Sequence, residues 1–413
     1  MTDSLRIVLL GYVVRCPLGG MAWHHLQYAM GLAELGHDVL FIEDSDDYPS
    51  CYDPSTDSTG VDPSYGLRFA DDAFRGVGLG EGWAYYDAHT STWHGPRAEE
   101  APRSVAAADV LINLGGVNPL RPWSLDVQVR VFIDHEPALT QVRHLSDPRA
   151  MNLARQHNRF FSFGEKIGDP DCTVPDDGFQ WLPTRQPIVL NAWPVTPGPS
   201  DGKFTTVMQW DSHPPRVLGD LRYGMKSDSF MPYLDLPERA GRIFELALGS
   251  ASAPRDLLQS KGWHLRNPLE PTRDPWTYRD YICGSKAEFS VAKHGYVVTR
   301  GGWFSERSAA YMASGRPVLT QETGFSARLP SGEGLVAFSS PEEAVAGVGD
   351  INSSYGTHCR AARALSAEYF DARKVLSVLI EDATSMGSKP TAASEGRQDL
   401  SAFRAPPTAS SGG

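Results

Sequence analysis

The sequence predicts an α/β protein in two halves, each built on an open parallel sheet. Three observations carry this expectation. Short continuous apolar runs such as "LRIVLLGY" (Leu5–Tyr12) read as strands buried on both faces. These runs alternate with stretches of helical periodicity. A glycine pair precedes a helix in both halves, Gly19-Gly20 and Gly301-Gly302. At 413 residues the chain exceeds one ordinary core.

In the first half, Met21 to Leu35 repeats apolar residues at helical spacing, and Gly36 ends that helix. "DVLFIED" (Asp38–Asp44) follows as a second buried strand and completes a βαβ unit. "DVLINLGG", "VRVFIDHE" and "RFFSFGE" repeat the strand pattern and end in glycine or polar residues. Ligands of open parallel sheets sit beyond the carboxyl ends of the strands. Gly115-Gly116, Asp134-His135-Glu136 and Gly164-Glu165 should therefore share one edge. Residues 169–201 are proline-dense, a linker or a cleft-lining insertion.

In the second half, "KFTTVMQW", "GWHLRNP", "YVVTRGG", "RPVLTQE" and "LVAFSS" are expected strands. "RIFELALG" and "SERSAAYMAS" are expected helices between them. The expected divisions are residues 1–200, residues 201–365, a closing helix over 366–386 and a disordered tail over 387–413. The tail is rich in Ser, Pro, Ala and Gly and has little to bury.

Composition narrows the function. A net charge of −12 argues against a nucleic-acid polymer as partner. No apolar run approaches the ~20 residues of a membrane helix, and "MTDSLRIVLLGY" lacks a signal-peptide pattern. The five cysteines are odd in number and none shows CxxC spacing, which fits a reducing cytoplasm. The sequence leaves oligomeric state open.

The most informative stretch is "HGYVVTRGGWFSERSAAYMASGRPVLTQETGF" (His294–Phe325). Ser305 is a good N-cap, and Ala309, Ala310 and Ala313 give the helix a small face for close packing. Gly315 and Pro317 stop it. A helix N-terminus behind two glycines offers free N–H groups and partial positive charge, and Arg300 and Arg307 add full charges. That combination suits a phosphate-bearing ligand. The plainer reading is an ordinary strand–turn–helix.

This stretch resembles the donor-binding half of the GT-B glycosyltransferases. "LGGMAWHHLQYAMGLAELGHDVLFIE" resembles the opening of their acceptor domain. Much of the chain also resembles a group of actinobacterial proteins described only as glycosyltransferases. The resemblance implies two facing Rossmann-like domains. It also implies a hexosyltransferase reaction, moving a sugar from a nucleoside diphosphate donor, expected to be UDP-linked, to a hydroxyl of a soluble small molecule such as a natural product or nucleoside. No metal is expected. Gly301, Gly302, Trp303 and Ser305 would surround the diphosphate, and Arg300 stands where many sugar transferases place a histidine. Gln321, Glu322, Thr323 and Gly324 stand where donor-sugar hydroxyls are held. Many members carry a ribose-binding glutamate where this chain has Ala310, and Glu306, one turn earlier, is the expected substitute. Lys293 and Lys226 would neutralise the leaving diphosphate.

His24 and His25 follow the first glycine loop, where the resemblance places a base; His25 is the preferred choice. A histidine packed in the first helical turn is the plainer reading. Asp134 and Glu136 would orient that base or hold the acceptor, together with Gly19, Gly20 and His135. Arg185, among Trp181, Gln186 and Trp193, is expected at the acceptor. The acidic run Glu43–Tyr48 reads as a solvated loop rather than a metal motif. Two alternatives stay open: a nucleotide-sugar epimerase or hydrolase of the same fold, and a non-catalytic nucleotide-sugar binding protein.

Overall fold

The computed structural model describes residues 4–385, so the expected tail lies outside the described residues. Two parallel sheets dominate. The first has eight strands: β1 (Arg6–Leu10), β2 (Asp38–Asp44), β3 (Trp83–Asp87), β4 (Thr92–His94), β5 (Val110–Leu114), β6 (Val129–Asp134), β7 (Arg159–Ser162) and β8 (Trp181–Pro183). Their order is β8-β7-β6-β5-β1-β2-β3-β4, and only the β3–β4 pair is antiparallel. The second has six strands: β9 (Phe204–Gln209), β10 (Phe244–Gly249), β11 (His264–Arg266), β12 (Ala287–Ser290), β13 (Val318–Gln321) and β14 (Leu335–Phe338). It is parallel throughout, in the order β11-β10-β9-β12-β13-β14.

Helix α1 (Gly19–Glu34) starts two residues earlier than its periodicity suggests. It packs against one face of the first sheet through Trp23, Leu26, Ala29 and Leu32, all buried. In the second half, α2 (Pro275–Cys283), α3 (His294–Thr299) and α4 (Glu306–Ala313) surround the cleft-facing side. The closing segment is two helices, α5 (Tyr355–Tyr369) and α6 (Ala372–Thr384), broken at Phe370-Asp371 rather than one helix. α6 returns to the first half. A Cβ on Gly31 of α1 would stand 2.5 Å from Leu376 and 2.9 Å from Ala372, so glycine permits that contact.

Two sequence expectations fail here. "RIFELALG" is strand β10, not a helix. All six of its strand residues are buried between β9 and β11, and tertiary position overrides the helix propensity of Glu, Leu and Ala. "YVVTR" is helix α3, not a strand. The strand lies one segment earlier, at Ala287–Ser290. α3 is held because Tyr296 stacks on Trp303 with ring centroids 4.4 Å apart, and the Thr299 hydroxyl donates to the Gly295 carbonyl at 2.7 Å. β-branched residues accept a helical turn when its ends are fixed in this way.

Candidate functional site

The carboxyl ends of both sheets face a common cleft, and contacts across it are numerous. Lys293, from the segment after β12, pairs with Glu136 from the segment after β6. His213 stands 3.7 Å from the same carboxylate. The Trp303 indole donates to the His135 carbonyl at 3.1 Å, and the Lys166 N–H donates to the Gly301 carbonyl at 3.0 Å. Burial opposes the ionised form of Glu136, but the charges and hydrogen bonds of Lys293 and His213 together outweigh it and hold the carboxyl well below its ordinary range.

α4 forms as expected. Ser305 caps it, its hydroxyl accepting from the Arg307 N–H at 3.2 Å. Arg300 takes a left-handed backbone (φ 51°), and Gly302 follows at φ 81°. A Cβ on Gly302 would meet Lys166 at 3.0 Å and one on Gly324 would meet the Arg300 carbonyl at 2.5 Å. Both glycines therefore let three backbone segments meet at one point. The Gly302 N–H is used by the Thr323 carbonyl, and the Thr323 hydroxyl bonds the Trp303 carbonyl.

The cations divide differently from expectation. Arg307 does not face a ligand: it is buried, donates to Glu288 at 2.6 Å, to Ser290 at 2.8 Å and to the Val207 carbonyl at 2.9 Å. Arg300 is 55% exposed and lies 3.6 Å from Asp171, outside the cleft contacts. Lys226 is the cation left over. It is part-buried and meets no protein acceptor among the described residues. Burial, reinforced by the Arg307 and Lys293 charges, lowers its pKa to about 7, while Glu288 and Glu306 oppose the shift.

The donor-side polar residues are also partly committed. Gln321 is buried, accepts from the Ala292 N–H at 3.1 Å and lies 3.4 Å from the Tyr233 hydroxyl. Glu322 folds back on the Gly324 N–H. Glu306 is part-exposed and, with Ala310, lines a space of about 20 Å³ shared with Gly20, His24, Gln186 and Tyr278. Gln186 and Tyr278 were not legible as cleft residues. Their place comes from packing between α1, α2 and the crossing segment after β8.

On the first half, the two histidines separate cleanly. His25 is fully buried and both ring nitrogens are occupied: Nδ1 donates to the Met21 carbonyl at 2.8 Å, and Nε2 accepts from the Tyr12 N–H at 3.2 Å. That corrects the preference for His25 as base, since no nitrogen is left for a substrate. His24 instead faces the cleft, with Nε2 3.2 Å from Nδ1 of His135, which stacks on Phe163. Burial lowers the His24 pKa to about 4 and pushes His135 well below its ordinary value, so both rings are neutral at pH 7.

Asp134 is fully buried and accepts from Ser162 (2.8 Å), Gln141 (3.1 Å) and the Glu136 N–H (2.8 Å). It holds the loop after β6 rather than a substrate. Arg185 is likewise corrected. It forms a two-pronged pair with Glu165, both bonds 2.7 Å, and lies over the Tyr369 ring. Gly19 and Gly20 serve the domain contact: a Cβ on Gly19 would meet the Asp274 carbonyl at 2.2 Å, and one on Gly20 would meet Tyr278 at 2.9 Å. The acidic run is not a solvated loop at its start. Glu43 is fully buried, accepting from the N–H groups of Val13, Val14 and Arg15 at 2.6–2.7 Å. Asp44 is paired with Arg121. Among the described residues no cluster of His, Cys, Asp or Glu has metal-ligating geometry, and no helix is long and apolar enough to cross a membrane.

No family model matches this sequence, and no curated protein matches it. Solved structures do. An α-glucosyltransferase in complex with UDP-glucose and abasic-site DNA aligns with a TM-score of 0.56 at 11% identity, over 92% of this chain and 100% of that one. The Anabaena protein HepE, in complex with UDP and glucose, aligns at 0.52 and 11% identity, over 92% and 100%. AviGT4, a glycosyltransferase of avilamycin A biosynthesis, aligns at 0.51 and 13%, over 92% and 97%. The fold is GT-B. In that arrangement the cleft between the two Rossmann-like domains is the place where Lys226, Lys293, Glu306, His24 and Glu136 converge.

Proposed function

We propose that the protein transfers a sugar from a UDP-linked donor to a hydroxyl of a small acceptor. The observation that carries this reading is Lys226, a part-buried side chain with no acceptor among the described residues, next to Met225, whose carbonyl accepts from the His294 N–H at the start of α3. A desolvated cation flanked by Arg307 and Lys293 is stabilised by a bound anion, and a diphosphate supplies one. The α-glucosyltransferase is in complex with UDP-glucose and HepE with UDP and glucose, which supports the choice of nucleotide.

Donor binding would engage Lys226 and Lys293, with the Gly301–Ser305 turn and the α4 N-terminus facing the developing charge on the leaving diphosphate. Glu306, part-exposed one turn before Ala310, is the carboxylate proposed for the ribose hydroxyls. On the opposite wall His24 is proposed as the group that accepts a proton from the acceptor hydroxyl, with its ring fixed by His135. Lys293 is released from Glu136 as the diphosphate arrives, so donor binding exchanges one anion for another across the cleft. No metal is part of this reading, because the cations of the chain supply the charge. The proposed location is the cytoplasm, on cysteine usage and composition. Nucleic acid is not proposed as acceptor, given the net charge of −12.

The test is UDP release from UDP-glucose and UDP-N-acetylglucosamine with and without a panel of hydroxylated small molecules. Acceptor-dependent release with a glycosylated product is expected. Conversion of the donor alone at the same rate would replace transfer with epimerisation or hydrolysis.

A further inference from the structure

A second feature lies at the same edge of the first sheet but outside the cleft. Tyr86 is the penultimate residue of β3, Trp93 is its antiparallel partner on β4, and Trp123 sits in a short 3-10 turn (Pro122–Ser124) between β5 and β6. Their ring centroids are 4.9–5.8 Å apart and tilted by 49–77°. The two indoles rest on the buried face formed by residues such as Leu10 and Ile42, so their positions are fixed from below. All three side chains stay part-exposed.

Two properties separate this cluster from routine packing. The first is its polar tips. The indole N–H groups of Trp23, Trp181, Trp263 and Trp303 donate to protein acceptors, and those of Trp83 and Trp193 are buried without one. The N–H groups of Trp93 and Trp123 and the Tyr86 hydroxyl meet none among the described residues, yet they are not among the buried unpartnered atoms and so reach solvent. The second is the rim. Arg121 is locked by two 2.8 Å bonds to Asp44 and one of 2.9 Å to Asp47, with its guanidinium 5.8 Å from the centre of the Tyr86 ring. Asp47 is itself 72% exposed. The cluster thus offers apolar ring surface beside fixed donors and acceptors.

We propose that this cluster binds a saccharide ring. A pyranose is amphipathic: its C–H face packs on an aromatic ring while its hydroxyls reach outward. Free indole N–H groups, the Tyr86 hydroxyl and the Arg121–Asp47 pair match that rim of hydroxyls. A wholly apolar partner would leave the same groups desolvated without bonds. The rim carries Asp44 and Asp47 against one arginine, which disfavours a phosphate.

The cluster is joined to the loop after β1. The Asn118 side chain accepts from the Asp44 N–H at 2.9 Å, donates to the Gly11 carbonyl at 2.9 Å and reaches Arg15 at 3.4 Å. The saccharide is therefore assigned as an outlying part of the acceptor, so that the acceptor is itself a glycoside. That assignment rests on the sugar-transfer reading; the saccharide site does not.

The test is calorimetry and saturation-transfer NMR on the full chain with glucose, mannose, maltose and cellobiose, plus p-nitrophenol as a flat ring without a hydroxyl rim. Binding of at least one saccharide with a dissociation constant on the order of 1 mM is expected. Trp93→Phe and Trp123→Phe keep a ring over the core and remove one donor each. Each should weaken binding at least about threefold. The double alanine variant should weaken it by about tenfold or more. Excess UDP should leave the saccharide signal in place. Absence of saccharide binding up to about 50 mM, binding unchanged in all these variants, displacement by UDP, or binding of p-nitrophenol alone would each overturn the proposal. Tryptophan-dependent saccharide binding without any UDP binding would leave this site standing and refute the transfer reading.

Discussion

The chain carries a glycine pair beside a helix start twice, at Gly19-Gly20 and Gly301-Gly302, and the surroundings of the two are completed in opposite ways. After β1, the N–H groups of Val13, Val14 and Arg15 converge on the carboxylate of Glu43, which the chain supplies from the end of β2. Burial drives the Glu43 pKa up, while Arg15 and the three N–H groups oppose that shift. An anion is already in place there, and it belongs to the protein. In the second half the buried carboxylate, Glu288, is taken by Arg307, and Lys226 is left without an acceptor among the described residues. The two regions therefore differ in whether every buried cation is matched within the chain. In the proposed reading the first would be a rigid loop framing an acceptor and the second a place for a diphosphate.

That contrast can be broken at either end. The largest effect is expected at the filled unit. Glu43→Ala leaves a buried Arg15 charge and three N–H groups unpaired, and should cost about 3–5 kcal/mol of stability by chemical denaturation. UDP affinity should stay unchanged in the fraction that folds. A Glu43→Ala protein as stable as wild type would remove the idea of a built-in anion.

The next effect separates the two adjacent histidines. His24→Ala should lower kcat by about 100-fold with little change in melting temperature. His25→Ala should do the reverse, since its ring bonds Met21 and Tyr12 across the base of the loop. Equal losses of kcat in stable proteins would return the base assignment to His25.

At the open unit, Lys226→Ala should weaken UDP binding by about thirtyfold, the share of one charge-assisted contact. The free protein should melt no lower than wild type, because the residue lost has no partner. A lower melting point would show that Lys226 is structural.

The smallest effect is in pH. Lys226 in the free protein loses its proton as pH rises through about 7. A bound diphosphate favours the charged form, so binding above that pH takes up a proton. UDP affinity should fall by about tenfold in all as pH rises from 7 to 9. Affinity rising over that range would exclude Lys226 as the phosphate contact.

The sequence displayed the fold well wherever a strand was buried on both faces. β1, β2, β5 and β6 were legible as apolar runs, and Ser305 was legible as a cap because its chemistry is local. It misled where neighbours decide. "YVVT" is rich in β-branched residues yet curls into α3 under Trp303, and "FELALG" is rich in helix formers yet fills the middle of a sheet. For the site, residue type was a guide to charge but not to direction. Arg307 and Arg185 are arginines in the expected places that turn inward to Glu288 and Glu165. Lys226 was visible as a candidate cation, but its lack of a partner is a property of three dimensions alone. Asp134 and His25 were found by position at strand and helix ends, and burial then gave them to the scaffold.

The cleft is proposed to hold a nucleoside diphosphate on Lys226. The most direct test is thermal stabilisation of wild type and Lys226→Ala by UDP, GDP, TDP, ADP, UDP-glucose and NAD. A ligand at about 100 times its dissociation constant adds about 2.7 kcal/mol, a clear melting shift. UDP and its sugars should shift wild type, and should shift Lys226→Ala far less at the same concentration. A shift by NAD alone, or equal shifts of both proteins by UDP, would contradict it.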